Sequence, residues 1–440
     1  MQNEFHSIAT KKEKCQGRMA CMRVCPTQAI RVRNGKAAIL EDRCIDCGEC
    51  VRVCPNHAIV PLTSSFSDLS KFKYTVALPS PVFYSQFARD DRPGTILNAL
   101  KKVGFNDAYD VACASESVSI AIQEYLDSND SPRPLISPFC PAIVRLIQMK
   151  FPNLLENLIP IESPMEIAAR EVKRLKMNEL GLREHEIGVV YLTPCPAKMI
   201  SLKQPPRKKH SFLDGIVAIS EIYPMVLQVL SQTDGHDAEQ EIRGLGLGWP
   251  ILGGQVSCLK AEDGLAISGL TDVMRVFGDI ENGKLKDVQY IECHTCPTGC
   301  VGGSLTVENQ YIARGRVLRM VHKYGSVPCQ DRQKIRDLYE KKFFSLVGSI
   351  APSPVQPLDD DISRAIQKMH QKHSIHERLP KIDCGGCGAP TCLTFAEDVV
   401  KGQATLDDCV FLAMKTFESL SGNLMEAVLK HSRRIHGNVE

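Results

Sequence analysis

Residues 292–303 read Glu-Cys-His-Thr-Cys-Pro-Thr-Gly-Cys-Val-Gly-Gly and follow an apolar, strand-like run at 288–291. Within this stretch Cys296 and Cys300 share a tight, glycine-rich turn with C-x3-C spacing. Because glycine permits positive φ and close backbone approach, such a turn can surround a bulky inorganic group rather than a single ion. The alternative is a glycine turn whose cysteines are buried as small hydrophobic side chains. The cysteine pattern of the whole chain favours the metal site.

The composition narrows the class of protein. A chain of 440 residues can bury a large core and predicts roughly two to four domains. The net charge of +2, with 24% charged residues, gives no reason to expect nucleic acid or an anionic membrane as a partner. The first 15 residues lack an apolar signal core, and we expect no membrane span and a cytoplasmic location. Cytoplasmic cysteines are more often metal ligands than disulfides, and most of the 19 here fall in close clusters, which predicts an iron–sulfur protein.

Two consecutive cysteine runs occupy residues 15–54. The second run has the spacing C-x2-C-x2-C-x3-C-P, in which three thiolates hold one cubane and the fourth serves another cluster. The first run fits this spacing only if Arg18 stands where its second cysteine is expected. A guanidinium has no lone pair to offer iron. Each run is followed by an apolar pair, at 29–30 and at 58–59, which predicts the start of a short strand.

This segment resembles the two-cluster ferredoxins, and the resemblance implies crossed ligation. The complete four-iron site would then be held by Cys25, Cys44, Cys47 and Cys50. The other site keeps only Cys15, Cys21 and Cys54. We expect it to hold a 3Fe-4S cluster or a cubane with an outside ligand, or to be defective and empty.

From about residue 73 to 346, strand-like and helical patterns alternate, which predicts an α/β architecture with mostly parallel strands. The expected strands are 74–78, 109–112, 135–136, 187–192, 215–219 and 288–291, and the clearest helical stretches are 142–149, 165–173 and 272–280. Three cysteine motifs, containing Cys140, Cys195 and the Cys296–Cys300 pair, come just after strands. Since ligands bind at the carboxyl ends of strands in open α/β sheets, we expect the motifs to meet there as one four-thiolate site.

In this order and at these intervals, the three motifs resemble the catalytic domain of the [FeFe]-hydrogenases. The resemblance covers residues 1–346, with the ferredoxin-like part first. It implies a cubane held by Cys140, Cys195, Cys296 and Cys300, with Cys300 bridging to a diiron unit that carries carbonyl and cyanide ligands. It also implies that Lys198 donates a charge-assisted hydrogen bond to a cyanide of that unit.

Several positions depart from the fast enzymes of that family. Phe139 stands where those enzymes have a cysteine that passes protons to the diiron bridge, and Ile143 replaces a tryptophan. Residues 111–117 lack the paired glutamates of the family's proton path, and His294 replaces a methionine. Because proton transfer needs titratable groups within hydrogen-bond reach, we expect slow or no turnover. His294 and Cys293 offer a substitute route, or they are a structural histidine and a spare buried thiol.

Other motifs receive simpler interpretations. Residues 244–249, Gly-Leu-Gly-Leu-Gly-Trp, lack the strand-then-helix context of a dinucleotide site and predict a turn. Cys258 and Cys329 have no partners in sequence and are expected to be buried thiols without a ligand role.

The C-terminal part begins with a proline-rich linker near 352–357 and a predicted helix over 362–373. A C-x2-C-x4-C-x16-C motif follows, formed by Cys384, Cys387, Cys392 and Cys409. It is similar to a small four-iron domain of corrinoid iron–sulfur proteins and of some electron-transport subunits, and zinc is the alternative metal. One face of a final helix carries an apolar stripe that predicts core packing or self-association, namely Phe417, Leu420, Leu424 and Val428.

The predicted fold is an α/β catalytic-type domain with mostly parallel strands, preceded by an α+β two-cluster ferredoxin domain and followed by a small helical iron–sulfur domain. The expected limits are 1–64 for the ferredoxin-like domain, 72–346 for the hydrogenase-like domain, 347–376 for a linker and helix, and 377–440 for the C-terminal domain with its terminal helix.

The C-terminal addition resembles the sensory branch of the hydrogenase family. We therefore expect an iron–sulfur electron-transfer protein that senses redox state or hydrogen, with electron donor or acceptor proteins and a signalling partner. The first alternative is an active hydrogenase interconverting H2 with protons and electrons. The second is an electron relay that holds 4Fe-4S cubanes but no diiron unit.

Overall fold

The computed structural model describes residues 5–88, 92–128, 132–205, 207–208, 210–232, 242–259 and 263–436. The chain divides into two compact units. The larger unit comprises Met1–Ala9, Cys44–Arg52 and Ile59–Pro354, and the smaller unit comprises Thr10–Arg43, Val53–Ala58 and Val355–Glu440. The predicted limits of the four sequence segments stay predictions.

Strands and helices are numbered in chain order. The strands are β1 Ile8–Thr10, β2 Ile30–Arg33, β3 Lys36–Ile39, β4 Ile59–Pro61, β5 Tyr74–Pro79, β6 Asp107–Ala108, β7 Leu135–Ile136, β8 Ile187–Thr193, β9 Gly215–Ala218, β10 Gly264–Ser268 and β11 Tyr290–His294. The α-helices are α1 Ala20–Val24, α2 Glu49–Val53, α3 Pro93–Val103, α4 Val111–Ser128, α5 Pro141–Lys150, α6 Pro164–Leu180, α7 Lys198–Lys203, α8 Ile219–Ser231, α9 Leu270–Glu281, α10 Gln310–Tyr324, α11 Arg332–Glu340, α12 Ile362–Arg378, α13 Cys392–Val400 and α14 Val410–His436.

A four-stranded parallel sheet with the order β6-β5-β8-β9 lies in the larger unit. Its central strand β8 is buried at all seven residues, with the sequence Ile-Gly-Val-Val-Tyr-Leu-Thr. A continuous apolar run is typical of a parallel strand that is covered on both faces. The core residues of β5 and β8 pack against helices such as α4 and α6.

A second parallel sheet of the larger unit has the order β10-β11-β7. In its register Ile267 lies opposite Cys293, and Tyr290 lies opposite Leu135. The predicted α/β fold with mostly parallel strands is therefore confirmed for this part of the chain. The strands belong to two sheets, however, and this changes how the cysteine motifs meet.

The strand predicted at 109–112 was wrong. Residues 109–112 were expected to be extended, but the strand ends at Ala108 and helix α4 begins at Val111. The Asp110 carboxylate accepts a hydrogen bond from the backbone N–H of Ala112 at 3.0 Å. An aspartate that caps a helix in this way satisfies one of the orphan N–H groups of the first turn and so starts the helix there.

The smaller unit contains the antiparallel hairpin of β2 and β3, in which Arg31 pairs with Ala38. A strand was predicted to begin after each of the two cysteine runs. Both predictions are confirmed, since β2 begins at Ile30 and β4 begins at Ile59. Helix α13 packs against α12, and a small core surrounds Phe395 and the cysteines Cys392 and Cys409.

Helix α14 carries the predicted apolar stripe. The side chains of Phe417, Leu420, Leu424 and Val428 are all exposed. The stripe is therefore not part of a core among the residues described, and self-association through it stays a prediction. None of the helices in the described ranges combines the length and the apolar character needed to cross a membrane.

Candidate iron–sulfur site

Four cysteine side chains line one cavity in the larger unit, namely Cys140, Cys195, Cys296 and Cys300. Cys140 precedes α5, Cys195 follows β8, and the other two follow β11. Since β8 belongs to one sheet and β11 to the other, the motifs come from two sheets rather than from one edge. The Thr295 hydroxyl lies 3.7 Å from the Cys140 sulfur and 3.8 Å from the Cys296 sulfur. The structure thus brings together the four predicted ligands, whose role as ligands stays a prediction.

Close backbone approach between two of the motifs depends on Gly303. A Cβ at this position would stand 2.2 Å from the carbonyl oxygen of Pro194, well inside any real contact. The same oxygen accepts a hydrogen bond from the N–H of Leu305 at 2.9 Å. A residue with a side chain would therefore push the Cys296–Cys300 turn away from the Cys195 motif.

The thiols fit a cluster by their electrostatics. Burial, together with the neighbouring thiols, raises the pKa of Cys195 to about 12 and that of Cys296 well above its ordinary range. Burial acts to raise the pKa of Cys300, but the hydrogen bond from His294 together with the charges of His294 and Lys198 outweighs burial, and the pKa is lowered. Buried thiolates need a strong cation beside them, and iron supplies that charge when a cluster binds. The cavity volume of about 70 Å³ exceeds the ~10–15 Å³ that one water needs.

A buried Glu292–His294 pair supports the Cys300 side of the site. The fully buried Glu292 carboxylate accepts hydrogen bonds from the backbone N–H groups of Gly253, Gln255 and Val256 at 2.9–3.0 Å. It also lies 2.7 Å from Nε2 of His294, whose Nδ1 is 3.8 Å from the Cys300 sulfur. The sequence alone predicted no role for Glu292. An acidic residue two positions before a histidine on a strand, hence on the same face, was the available signal.

Phe139 and Lys198 also line the cavity. The ring of Phe139 packs on Trp249, the only tryptophan of the chain, with centroids 5.1 Å apart. The Lys198 ammonium donates a 2.8 Å hydrogen bond to the carbonyl oxygen of Phe139. Within the stretch 244–249, which was predicted to be a turn, Leu245–Gly248 forms a short 3-10 helix, and the role of this stretch in placing Trp249 at the cavity was missed. The predicted cyanide contact of Lys198 stays a prediction.

Cys293 does not line the cavity, although the next residue, His294, does. It is fully buried, and burial raises its pKa well above the ordinary range. Consecutive residues of a strand point to opposite faces, so the side chains of Cys293 and His294 lie on different faces of β11. The expectation that Cys258 and Cys329 are buried was wrong, since both are partly exposed and the Cys329 sulfur lies 3.6 Å from the Glu116 carboxylate.

The loop with Cys47 lies beside the four-thiol site within the larger unit. A Cβ on Gly48, which has φ +84°, would meet the Ser304 hydroxyl at 2.2 Å and the Pro196 ring at 3.0 Å. Arg52 donates a hydrogen bond to the carbonyl oxygen of Gly302. These contacts place the second ferredoxin-type run against the motifs of Cys195 and Cys300. The grouping of Cys25 with Cys44, Cys47 and Cys50 stays a prediction.

Two further cysteine sets lie in the smaller unit. Burial, with the neighbouring Cys54 and Cys15, raises the pKa of Cys21 to about 11. Arg18 is exposed, so its cation is in solvent rather than buried among these thiols. In the C-terminal set burial raises the pKa of Cys387, and the neighbouring thiols Cys384 and Cys409 add to it. As at the four-thiol site, thiolates that are buried close together need a strong cation beside them, and iron in a cluster supplies that charge.

Known families match three segments of the chain. Residues 73–243 match the "Iron only hydrogenase large subunit, C-terminal domain", residues 7–55 match a 4Fe-4S dicluster domain, and residues 379–411 match an Fe-S cluster family. Cys140, Cys195 and Lys198 fall within the first match, whereas Cys296 and Cys300 follow it.

Individual relatives each match a part of the chain. Iron hydrogenase 1 of Clostridium pasteurianum is 24% identical over 214 residues, which cover 46% of this chain and 34% of the relative. The corrinoid/iron-sulfur protein large subunit of Moorella thermoacetica is 39% identical over 56 residues, 13% of each chain. The chain thus spans about a third of the length of the first relative and less of the second.

Among solved structures, a variant of [FeFe]-hydrogenase HydA1 from Chlamydomonas reinhardtii aligns with a TM-score of 0.49 and 14% identity, covering 66% of this chain and 97% of that one. The family matches carry the assignment. The chain is an iron–sulfur protein related to the [FeFe]-hydrogenase large subunit, with a 4Fe-4S dicluster segment before the hydrogenase-type domain and an Fe-S cluster segment after it.

Proposed function

We propose that this chain is a cytoplasmic redox- or hydrogen-responsive iron–sulfur protein with slow or no H2 turnover. Phe139 carries the proposal. It occupies the position of the proton-relay cysteine, is only 7% exposed, and lines the cavity of the four thiols. A phenyl ring packed on Trp249 can neither donate nor accept a proton at that point.

The residues of the cavity support binding more than proton delivery. Cys140, Cys195, Cys296 and Cys300 would hold the cubane, and a diiron unit bound beside it would supply the chemistry toward hydrogen. Lys198 would present its ammonium to an anionic ligand of that unit. The rings of Phe139 and Trp249 pack on each other and present apolar surface to the cavity. A site of this kind suits a detector that reports a ligand without consuming it.

The deciding experiment compares H2 evolution by matured wild type, Phe139→Cys and Phe139→Leu. A general acid or base typically contributes ~10²–10⁴-fold in rate, and we expect Phe139→Cys to gain at the lower end, because residues 111–117 lack the paired glutamates of the downstream path. Phe139→Leu keeps an apolar side chain without a proton and should stay slow. A wild type that already evolves H2 at rates typical of fast hydrogenases would end the proposal.

An active hydrogenase is the second candidate, and the observation that favours it is the polar pair at the cavity. His294 and Lys198 both line it, so two titratable side chains are present near Cys300. Infrared spectroscopy distinguishes a third function, an electron relay that holds cubanes alone, from both the responsive protein and the active hydrogenase. Bands of metal-bound carbonyl and cyanide in the matured protein would exclude the relay, and their absence after full maturation would favour it.

The partners follow from the same proposal. Electron donor or acceptor proteins would exchange electrons with the iron–sulfur sites, and a signalling partner would read the resulting redox state. Pull-down of the reduced and the oxidised holoprotein separately tests for a partner that distinguishes the two states.

A further inference from the structure

The C-terminal cysteine loop lies on the ferredoxin-type hairpin within the smaller unit. The backbone N–H of Val32 on β2 donates a 2.9 Å hydrogen bond to the carbonyl oxygen of Gly388. Gly388 has φ +78°, and a Cβ there would stand 1.8 Å from the Val32 oxygen. The segment that carries Cys384 and Cys387 is thus joined to β2 backbone to backbone, at a distance that only glycine allows.

The same loop reaches the three-thiol set. A Cβ on Gly385 would lie 2.9 Å from the terminal methyl of Met22, a side chain that is 1% exposed and directly follows Cys21. On the neighbouring strand β3, the N–H of Ala37 donates to the sulfur of Cys15 at 3.3 Å. One hairpin and one methionine therefore separate the two cysteine sets.

Buried ion pairs fix this arrangement. Arg31 forms a two-point contact with the Asp398 carboxylate at 2.6 and 3.0 Å, and their side chains are 5% and 3% exposed. Arg33 reaches the same carboxylate at 2.6 Å, and Arg43 pairs with Glu397. Bidentate arginine–carboxylate contacts carry geometric specificity, and breaking one partner of a buried pair is strongly unfavourable. The contact is therefore a built interface between segments more than 350 residues apart.

We propose that this interface is an electron path between the iron–sulfur sites at Cys384/Cys387/Cys392/Cys409 and at Cys15/Cys21/Cys54. One electron moves across the Gly385–Met22 contact, so one cluster is oxidised as the other is reduced, and no bond forms or breaks. Cys384 is exposed, whereas Cys392 and Cys409 are buried. A one-electron carrier protein docking at the Cys384 edge is the donor or acceptor outside the chain. The proposal requires iron at both cysteine sets and does not depend on a diiron unit.

Electron paramagnetic resonance of the full-length holoprotein, poised where both clusters are paramagnetic, tests the path. Adjacent clusters broaden each other's signals and speed their relaxation, and we expect both effects in the wild type. Gly388→Ala, whose methyl group collides with Val32, should lose the interaction. Gly402→Ala is the matched control, because Gly402 also has positive φ, at +71°, but nothing within 4 Å of its Cβ position. Isolated, unbroadened signals in the wild type, or an interaction unchanged by Gly388→Ala, would overturn the proposal.

A second variant guards against misfolding of Gly388→Ala. Cys384→Ser removes an exposed ligand without touching the interface, and should lower the iron content by about four per chain. The signal of the Cys15/Cys21/Cys54 site should then lose its broadening and keep its intensity. If that signal has the same line width and relaxation with and without the C-terminal cluster, the two sites are not neighbours. H2 evolution is not part of either readout, so failure here leaves the proposed function standing.

Discussion

Gly303 lies so close to Pro194 that a Cβ would stand 2.2 Å from the proline carbonyl oxygen. This approach holds the Cys296–Cys300 turn against the Cys195 motif. We expect Gly303→Ala to lower the free energy of unfolding by about 1–3 kcal/mol, as overpacking typically does, and to lower the iron bound per chain. Anaerobic denaturation and iron analysis measure both.

Gly278→Ala is the matched control for Gly303→Ala. Gly278 lies within helix α9 and has nothing within 4 Å of its Cβ position. Alanine is a better helix former by about 0.5–1 kcal/mol, so this variant should be slightly more stable than wild type and keep its iron. Equal iron loss in both variants would contradict the steric explanation.

Removal of one of the four converging thiols should abolish one cluster. Cys195→Ala is expected to lose about four irons per chain, since a cubane is held by four cysteine thiolates. Cys293→Ala should keep its iron, because Cys293 is buried near the site but does not line the cavity. Iron analysis of the two purified variants checks the ligand set. If only Cys293→Ala lost iron, Cys293 rather than Cys195 would be the ligand.

Arg18→Cys should complete the Cys15/Cys21/Cys54 site. Arg18 is exposed, and cysteine at this position restores the spacing of the second run. We expect a gain of about one iron per chain if the wild-type site holds three irons, with a four-iron spectrum replacing the three-iron one, and of about four if the site is empty. An unchanged iron content would indicate a wild-type cubane with an outside ligand. Arg23→Cys, at another exposed arginine off the spacing, should leave iron and spectrum unchanged.

Asp110 predicts a pH-dependent stability. Burial raises its pKa from an ordinary 3.8 to about 6, although hydrogen bonds from the Ala112 N–H and the Tyr84 hydroxyl oppose the change. The stabilisation from this raised pKa is full below about pH 4 and is lost as pH rises through about 6, a difference of about 3 kcal/mol. Asp110→Asn should remove this loss, so its stability relative to wild type should rise by about 2–3 kcal/mol between pH 4 and pH 8.

Asp107→Asn supplies the control for that measurement. Burial acts to raise the pKa of Asp107, but hydrogen bonds from Lys176 and Lys101 prevail and lower it. The stabilisation from Asp107 is therefore present above about pH 4 and is lost as pH falls below it. The stability of Asp107→Asn relative to wild type should stay constant from pH 5 to pH 8. The same flat difference for Asp110→Asn would refute the buried-carboxylate explanation.

The sequence by itself determined the cysteine sets and the class of fold. Thiolate ligands must be close to iron. Where the cysteines also lie close together in the chain, as in 44–54 and 384–409, their spacing alone predicts the cluster site without a structure. The continuous apolar run of β8 likewise predicts a buried parallel strand from local pattern alone. Phe139 could be interpreted because the motif around Cys140 gives its position.

Only the tertiary structure decided how distant segments meet. The support of His294 by Glu292, the packing of Trp249 on Phe139 and the contact of Gly388 with Val32 join residues through folding rather than spacing. The end of β6 at Ala108 was decided by the Asp110 cap, which competes with a strand-like sequence. Burial likewise set the raised pKa values of Asp110 and Cys195, since desolvation depends on all surrounding atoms and not on neighbours in sequence.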